Sequence, residues 1–232
     1  MEEQPNEKIV ELIQKCLSLS KSPNEHEATA ALSKAQELLL KYNLELADLQ
    51  AQGKAPSTSM LNFPIPLGQI EWKRRVLRKL ALNNFCETII EGRTNYHILG
   101  RLPNVLAVVE MGSWILIQMD NITWYQTQMY DGPVQKLRFR NSFLEGLTDR
   151  VIERLNEFYQ QLQLNSNTRA LTISLKGEAQ QYLRQQYPYT TTRHAPPRNI
   201  SSEGYQAGRS AGDGVSFSHS GRQLDTNTKL LT

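Results

Sequence analysis

Apolar positions in the first fifty residues recur every three or four places: Ile9, Ile13, Cys16 and Leu17, then Ala28, Ala31, Leu32, Ala35, Leu38, Leu39 and Tyr42. That period is the signature of a helix with one buried stripe, so the segment predicts two amphipathic helices. Ser22-Pro23-Asn24 interrupts the pattern between them, because proline cannot continue a helix. Asn24 is placed to cap the second helix, which should then begin at Glu25, and Glu27 is spaced to reach back as in a capping box. Ala28, Ala31 and Ala35 share a face, and small side chains let two helices approach closely, so an antiparallel hairpin over residues 1–50 is favoured. Such a hairpin buries too little surface to be stable alone. A short third helix near Leu44 to Leu49, or docking on the rest of the chain, is expected to complete it.

Residues 51–59 are rich in Gly, Pro and hydroxyl side chains and read as a linker. A second domain follows over 60–187. It opens with a helix from Gly68 to Phe85 whose apolar side is Ile70, Val76, Leu77, Leu80 and Ala81. Cys86 to Glu91 and Asn95 to Arg101 are short β-branched or aromatic runs around Gly92-Arg93-Thr94, which suits a β-hairpin. Pro103 fits the first turn of a long helix reaching about Gln128, broken by Gly132-Pro133. Phe143, Leu147, Val151, Leu155 and Phe158 then define a second long helix, over 139–164, antiparallel to the first. A shorter helix over 175–187 ends at Pro188, and 188–232 is a Pro/Gly-rich tail carrying a short docking helix. The predicted class is α+β: a helical hairpin, then helix, β-hairpin and two long antiparallel helices, with a glycine-rich C-terminal segment.

The chain has 39% hydrophobic and 21% charged residues and a net charge of +3, the balance of a chain that builds a core. The charge is unevenly placed. Residues 1–50 carry five basic and nine acidic residues, so the remainder holds a net +7. Lys73, Arg74, Arg75, Arg78 and Lys79 concentrate five cations on one predicted helix, with Arg138 and Arg140 farther on, and such a face would track phosphates by releasing counterions. The alternative is a solvated helix face paired with Glu71, Glu145, Asp149 or Glu153. Trp72, Trp114 and Trp124 fall at apolar helical positions and read as core anchors, with base stacking as the alternative.

Catalytic and metal signatures are weak. His26, His97, His194 and His219 are scattered without ligand spacing, two cysteines exclude a four-cysteine zinc site, and no nucleotide-binding fingerprint or nucleophile elbow is present. No metal and no cofactor is expected. Cys16 and Cys86 read as small buried apolar residues. Glu110 lies in a long apolar helix, either as a buried acid with perturbed chemistry or on a narrow exposed strip. It also interrupts the longest apolar run, so no membrane segment is expected, and the first residues lack signal-peptide character, which points to the cytoplasm. Gly204, Gly208 and Gly212 recur every four residues, giving a bare helix stripe for close packing or, alternatively, a backbone approach to phosphate with Arg209 and Arg198.

Lys8-Ile9, the turn Ser22-Pro23-Asn24-Glu25-His26-Glu27-Ala28, and Ala31, Ala35-Gln36, Leu38-Leu39 and Lys41-Tyr42 closely resemble the bacterial and phage family known as Domain of Unknown Function 2786. The resemblance implies a companion domain with a Trp-containing helix, a hairpin ending near a glycine, and a glycine-rich close. Trp72, Gly100, Phe143-Leu144-Glu145-Gly146 and Gly204 to Gly212 with Arg209 look like those landmarks. Asn24, Glu27, Ala28, Ala31 and Ala35 are the hairpin's family positions, with structural rather than catalytic roles. The resemblance implies no catalytic residue, and its mobile-element setting favours a nucleic-acid-associated role. The expected function is a non-enzymatic prophage or mobile-element accessory protein that binds nucleic-acid backbone through its basic helix. The alternatives are a protein-interaction module using Glu37, Glu45 and Asp48 of the acidic hairpin, and, more remotely, a hydrolase around Glu110.

Overall fold

The computed structural model describes residues 5–22, 24–52, 60–68, 70–164, 169–191 and 199–217. The linker read at 51–59 falls almost wholly outside these residues, as do Arg198, His194 and His219. In chain order the elements are α1 (Pro5–Leu19), α2 (Glu25–Ala51), β1 (Met60–Pro66), α3 (Glu71–Asn83), β2 (Glu87–Glu91), β3 (Asn95–Arg101), α4 (Leu102–Met129), α5 (Lys136–Leu164), α6 (Arg169–Gln186) and α7 (Ser202–Gly212). The fold is helix-dominated α+β.

Helices α1 and α2 form the predicted hairpin, and Asn24 caps α2: its Oδ1 accepts from the backbone N–H of His26 at 3.1 Å and of Glu27 at 3.4 Å. Glu27 does not close a capping box. Its carboxylate instead accepts from the Ser22 hydroxyl at 2.5 Å, and Ser22 Oγ takes the Asn24 N–H. The separate third helix expected near Leu44 does not form, because Leu39, Tyr42 and Leu46 continue the buried stripe and α2 runs unbroken to Ala51. Ala28 and Ala35 are fully buried and Ala31 is half-buried.

The sheet has three strands where the sequence pattern indicated two. Its order is β1-β3-β2, antiparallel throughout, with Ile98 of β3 opposite Phe63 of β1 and Thr88 of β2. Pro64 and Pro66 hid β1, since prolines argue against a strand. They are tolerated because β1 is an edge and residues two apart point their backbone nitrogens the same way, away from the ladder. The same prolines blunt that edge against further pairing.

One core joins Trp72, Val76, Leu77 and Leu80 of α3, Tyr96 and Ile98 of β3, Val108, Met111 and Ile115 of α4, and Phe143, Leu147 and Leu155 of α5. Each such burial contributes about 1.5–3 kcal/mol relative to exposure. Gly100 admits the Cys86 side chain, which a Cβ there would overlap. Helix α4 is the one described helix long and apolar enough to cross a membrane, with mean hydropathy 1.4, but 61% of that stretch is buried, so packing accounts for its composition.

The hairpin is fastened to this body. Its own cluster of Ile13, Leu17, Leu39, Tyr42 and Leu46 closes over Ala107 of α4. Asn43 of α2 and Asn104 of α4 exchange amide hydrogen bonds at 2.9 and 3.0 Å. Arg101, 3% exposed, donates to Asn43 at 3.3 Å and pairs with Glu178 of α6 at 2.5 Å. A buried cation without such partners would be strongly destabilising.

Candidate functional site

The basic run on α3 alternates with the residues that pin the helix to the core, and that interleaving decides where each cation goes. Arg74 turns inward: it is buried, and its Nη2 donates to the carbonyl of Gly68 and to that of Arg93 at 2.7 Å, tying the turn before α3 to the β2–β3 turn. Arg75 bridges to α5, with Nη1 on Glu145 at 2.7 Å and Nη2 on Asp149. Lys73 pairs with Asp120 of α4 at 2.6 Å and sits 5.3 Å from the Trp72 ring centroid. Arg78 is exposed and Lys79 half-buried. The continuous phosphate-tracking face expected from the sequence is therefore not what α3 presents, because Lys73, Arg74 and Arg75 are engaged within the protein.

The glycines of α7 serve close packing. A Cβ on Gly204 would lie 2.9 Å from the Phe139 carbonyl oxygen, one on Gly208 would overlap the Phe143 carbonyl, and one on Gly212 would lie 2.7 Å from Arg150 Cβ. Gly146 of α5 answers from the other side, against the backbone of Tyr205. Charged groups flank the seam. Arg209 grips Glu153 with two hydrogen bonds of 2.8 and 2.7 Å, the Tyr205 hydroxyl donates to Asp149 at 2.9 Å, and Arg150 reaches Asp213 at 2.6 Å. Arg154 donates to the carbonyls of Gly212 and Val215 at 2.6 and 2.7 Å. Arg209 thus holds a carboxylate, which leaves it engaged rather than offered to a phosphate.

Those bonds to Arg209 hold the Glu153 carboxyl below its ordinary range, with Arg150 adding to the effect. A depressed carboxyl contributes stability above its unfolded pKa and loses it as pH falls through the lower folded value. Acidification from neutral pH is therefore expected to lower the urea midpoint more in the wild type than in Glu153→Gln, which cannot titrate. Equal losses in both would show that the pair does not hold α7.

The α4–α5 end is built differently. Tyr130 stacks on Phe139 with ring centroids 3.7 Å apart, donates to Glu203 at 3.1 Å and accepts the Val134 N–H at 3.0 Å, which fixes the turn between the helices. Lys136 Nζ reaches the Gln128 carbonyl at 3.4 Å. Beyond that brace the helix end projects: Trp124 is 65% exposed, and Tyr125, Met129 and Leu137 are more than half exposed. Trp124 is not the core anchor its spacing suggested, since Met119 and Thr123 take the inward positions and Trp124 follows about 100° around the helix. Trp72 is buried as expected, and Trp114 is half-buried. Lys136, Arg138 and Arg140, in the first turns of α5, are exposed. Arg138 meets only the Asn199 side chain, at 2.9 Å, and none of the three pairs with a carboxylate among the described residues.

Two cavities flank these elements. A cleft of about 200 Å³ lies by the same turn, lined by Gln126, Met129, Tyr130, Asp131, Phe139 and Glu203. Its two carboxylates make it a poor host for phosphate. An inner cavity of about 20 Å³, room for one water, lies among Gln36, Asn83, Asn84, Asn104 and Tyr159, beside Phe85 in the left-handed conformation at φ 56°.

The acid and thiol candidates are structural in setting. Glu110 sits on the exposed strip of α4 and pairs with Lys21 at 2.6 Å. Cys86 is buried, and desolvation pushes its thiol up, away from reactivity. Cys16 is half-buried. His97 is nearly buried on β3, its Nδ1 2.8 Å from Asn62 Oδ1. Sequence spacing missed Asn43, Arg101 and Asn104, which hold the hairpin; the polar residue inside each apolar stripe was the available signal.

These sites define a helix-dominated protein in which nearly every charged residue of the inner faces is engaged and one helix end is left apolar and basic. Residues 8–46, the α1–α2 hairpin, match the model of the family described as Protein of unknown function (DUF2786), which supports the resemblance seen in the hairpin residues. No curated protein and no solved structure matches the chain significantly.

Proposed function

We propose that the protein is a cytoplasmic, non-enzymatic accessory protein of a mobile element that binds nucleic acid at the α4–α5 end. The supporting observation is that exposed Trp124 and Tyr125 near the end of α4 and exposed Lys136, Arg138 and Arg140 at the start of α5 flank the same helix corner, the three cations without carboxylate partners among the described residues. Other cations are held internally, as at Lys73–Asp120, Arg75–Glu145 and Arg209–Glu153. Unpaired cations release counterions on meeting a polyanion, and exposed aromatic rings offer stacking surfaces. Reversing Lys136, Arg138 and Arg140 to Glu is expected to weaken binding to labelled DNA or RNA by more than about tenfold in low salt, without unfolding the chain. Arg78→Glu on α3 should leave it little changed. Unaltered affinity in the triple reversal would overturn the assignment.

A protein partner at the same patch is the second reading, favoured by the aliphatic Met129 and Leu137, since interfaces gather Trp, Tyr, Met and Arg. The acidic hairpin is the weaker docking surface: Glu37 and Glu45 already pair with Lys34 at 2.9 Å and Lys41 at 3.7 Å along α2. The side chain of Asp48 lies outside the described residues.

A further inference from the structure

Resting on that reading, we infer that the α4–α5 end takes single-stranded rather than duplex nucleic acid, with Trp124 as the base-stacking platform and Arg140 as its phosphate partner. The inference begins with register. Helices α4 and α5 are joined by a short turn and run back along one another, and Lys136 reaches the Gln128 carbonyl. Four residues advance a helix by about 6 Å. Counting four residues back from Gln128 and four on from Lys136 puts Trp124 and Arg140 at a similar height above the corner, and both are exposed.

An aromatic ring and an unpaired guanidinium at one level match the repeating unit of a nucleic-acid strand, a flat base with a phosphate to one side. The ring of Trp124 is 65% exposed on a projecting helix end, so a base has access to it. In a duplex the base faces are already occupied by their neighbours, and reaching one requires unstacking that costs a few kcal/mol per step. Single strands present those faces without that cost, and base–aromatic stacking tolerates any sequence. The exposed cations are also few. Lys136, Arg138 and Arg140 supply too little charge for tight duplex binding by electrostatics alone, so stacking must contribute much of the affinity. The cleft carboxylates Asp131 and Glu203 lie beside the same corner and would repel a second, closely spaced phosphate backbone.

The test uses the full chain with a labelled oligothymidylate and with its duplex to oligoadenylate, following anisotropy and intrinsic tryptophan emission together. The single strand is expected to bind at least about tenfold more tightly than the duplex and to quench emission. Trp124→Ala should lose that preference and the quenching, and Trp124→Phe should keep most of the affinity. Trp72 and Trp114 lie in the helical body and provide a constant background. Equal affinity for both polymers without quenching, or an unaffected Trp124→Ala variant, would overturn the single-strand assignment while leaving nucleic-acid binding in place. Failure to bind either polymer at low salt would overturn both.

Discussion

Replacing Gly208 by Leu is expected to undock α7 from α5 and lower the stability of the chain by about 3 kcal/mol, the upper range for overpacking. The two helices approach until backbone meets backbone: a Cβ at Gly208 would overlap the Phe143 carbonyl and come 2.8 Å from the Leu147 nitrogen. Neither atom can move without displacing a helix that also carries the central core residues Phe143 and Leu147. Alanine separates this mechanism from simple helix propensity. In an unconstrained helix Gly→Ala stabilises by about 1 kcal/mol. Gly208→Ala should instead destabilise, whereas Gly177→Ala on α6, where a Cβ meets nothing within 4 Å, should gain. Urea midpoints of opposite sign at the two positions are the expected result. A stabilised Gly208→Ala variant would mean that α7 is not seated on α5 as described.

The second large effect concerns Arg74. Truncation to Met is expected to cost about 3 kcal/mol, because it removes two charge-assisted hydrogen bonds, to the carbonyls of Gly68 and Arg93, that tie two turns together. Arg74→Glu should cost more, since a carboxylate would face two carbonyl oxygens in a buried site. Arg78→Glu, one turn along on the exposed side, should change stability by less than about 0.5 kcal/mol. Thermal unfolding of the three variants gives the comparison directly. Equal, small effects at both positions would return the basic run of α3 to the surface role its composition suggests. The contrast also bears on function: a combined reversal of Arg74, Arg75 and Arg78 would lose binding through loss of fold and could not report on a binding surface.

Local periodicity made the helices legible. The spacing of Phe143, Leu147, Val151 and Leu155 required α5, Asn24 fixed the start of α2, and the four-residue glycine repeat marked α7 as a packing helix. Strand β1 was hidden because its prolines are acceptable only at an edge, and edge status is a property of the assembled sheet. The site was less legible than the fold. Charge density on α3 drew attention to Lys73, Arg74 and Arg75, yet their carboxylate and carbonyl partners lie from six to more than seventy positions away in the chain. The alternative of pairing with Glu145 and Asp149 holds for Arg75, whereas the Asp120 partner of Lys73 and the carbonyl partners of Arg74 had no local signal. Trp124 was misjudged for a different reason. The apolar character of Trp124 suits the stripe, but the inward position in that turn belongs to Thr123, and Trp124 falls one residue around the helix.

The most direct measurement is the affinity of the intact protein for a labelled single strand across a salt series, beside the Lys136→Glu, Arg138→Glu, Arg140→Glu variant. Three phosphate contacts correspond to a slope of log K on log salt of about −2 for a single strand, and the expected result is that slope in the wild type and its loss in the variant. Wild-type binding that is absent at low salt, or a slope that survives the triple reversal, would contradict the assignment of the α4–α5 end.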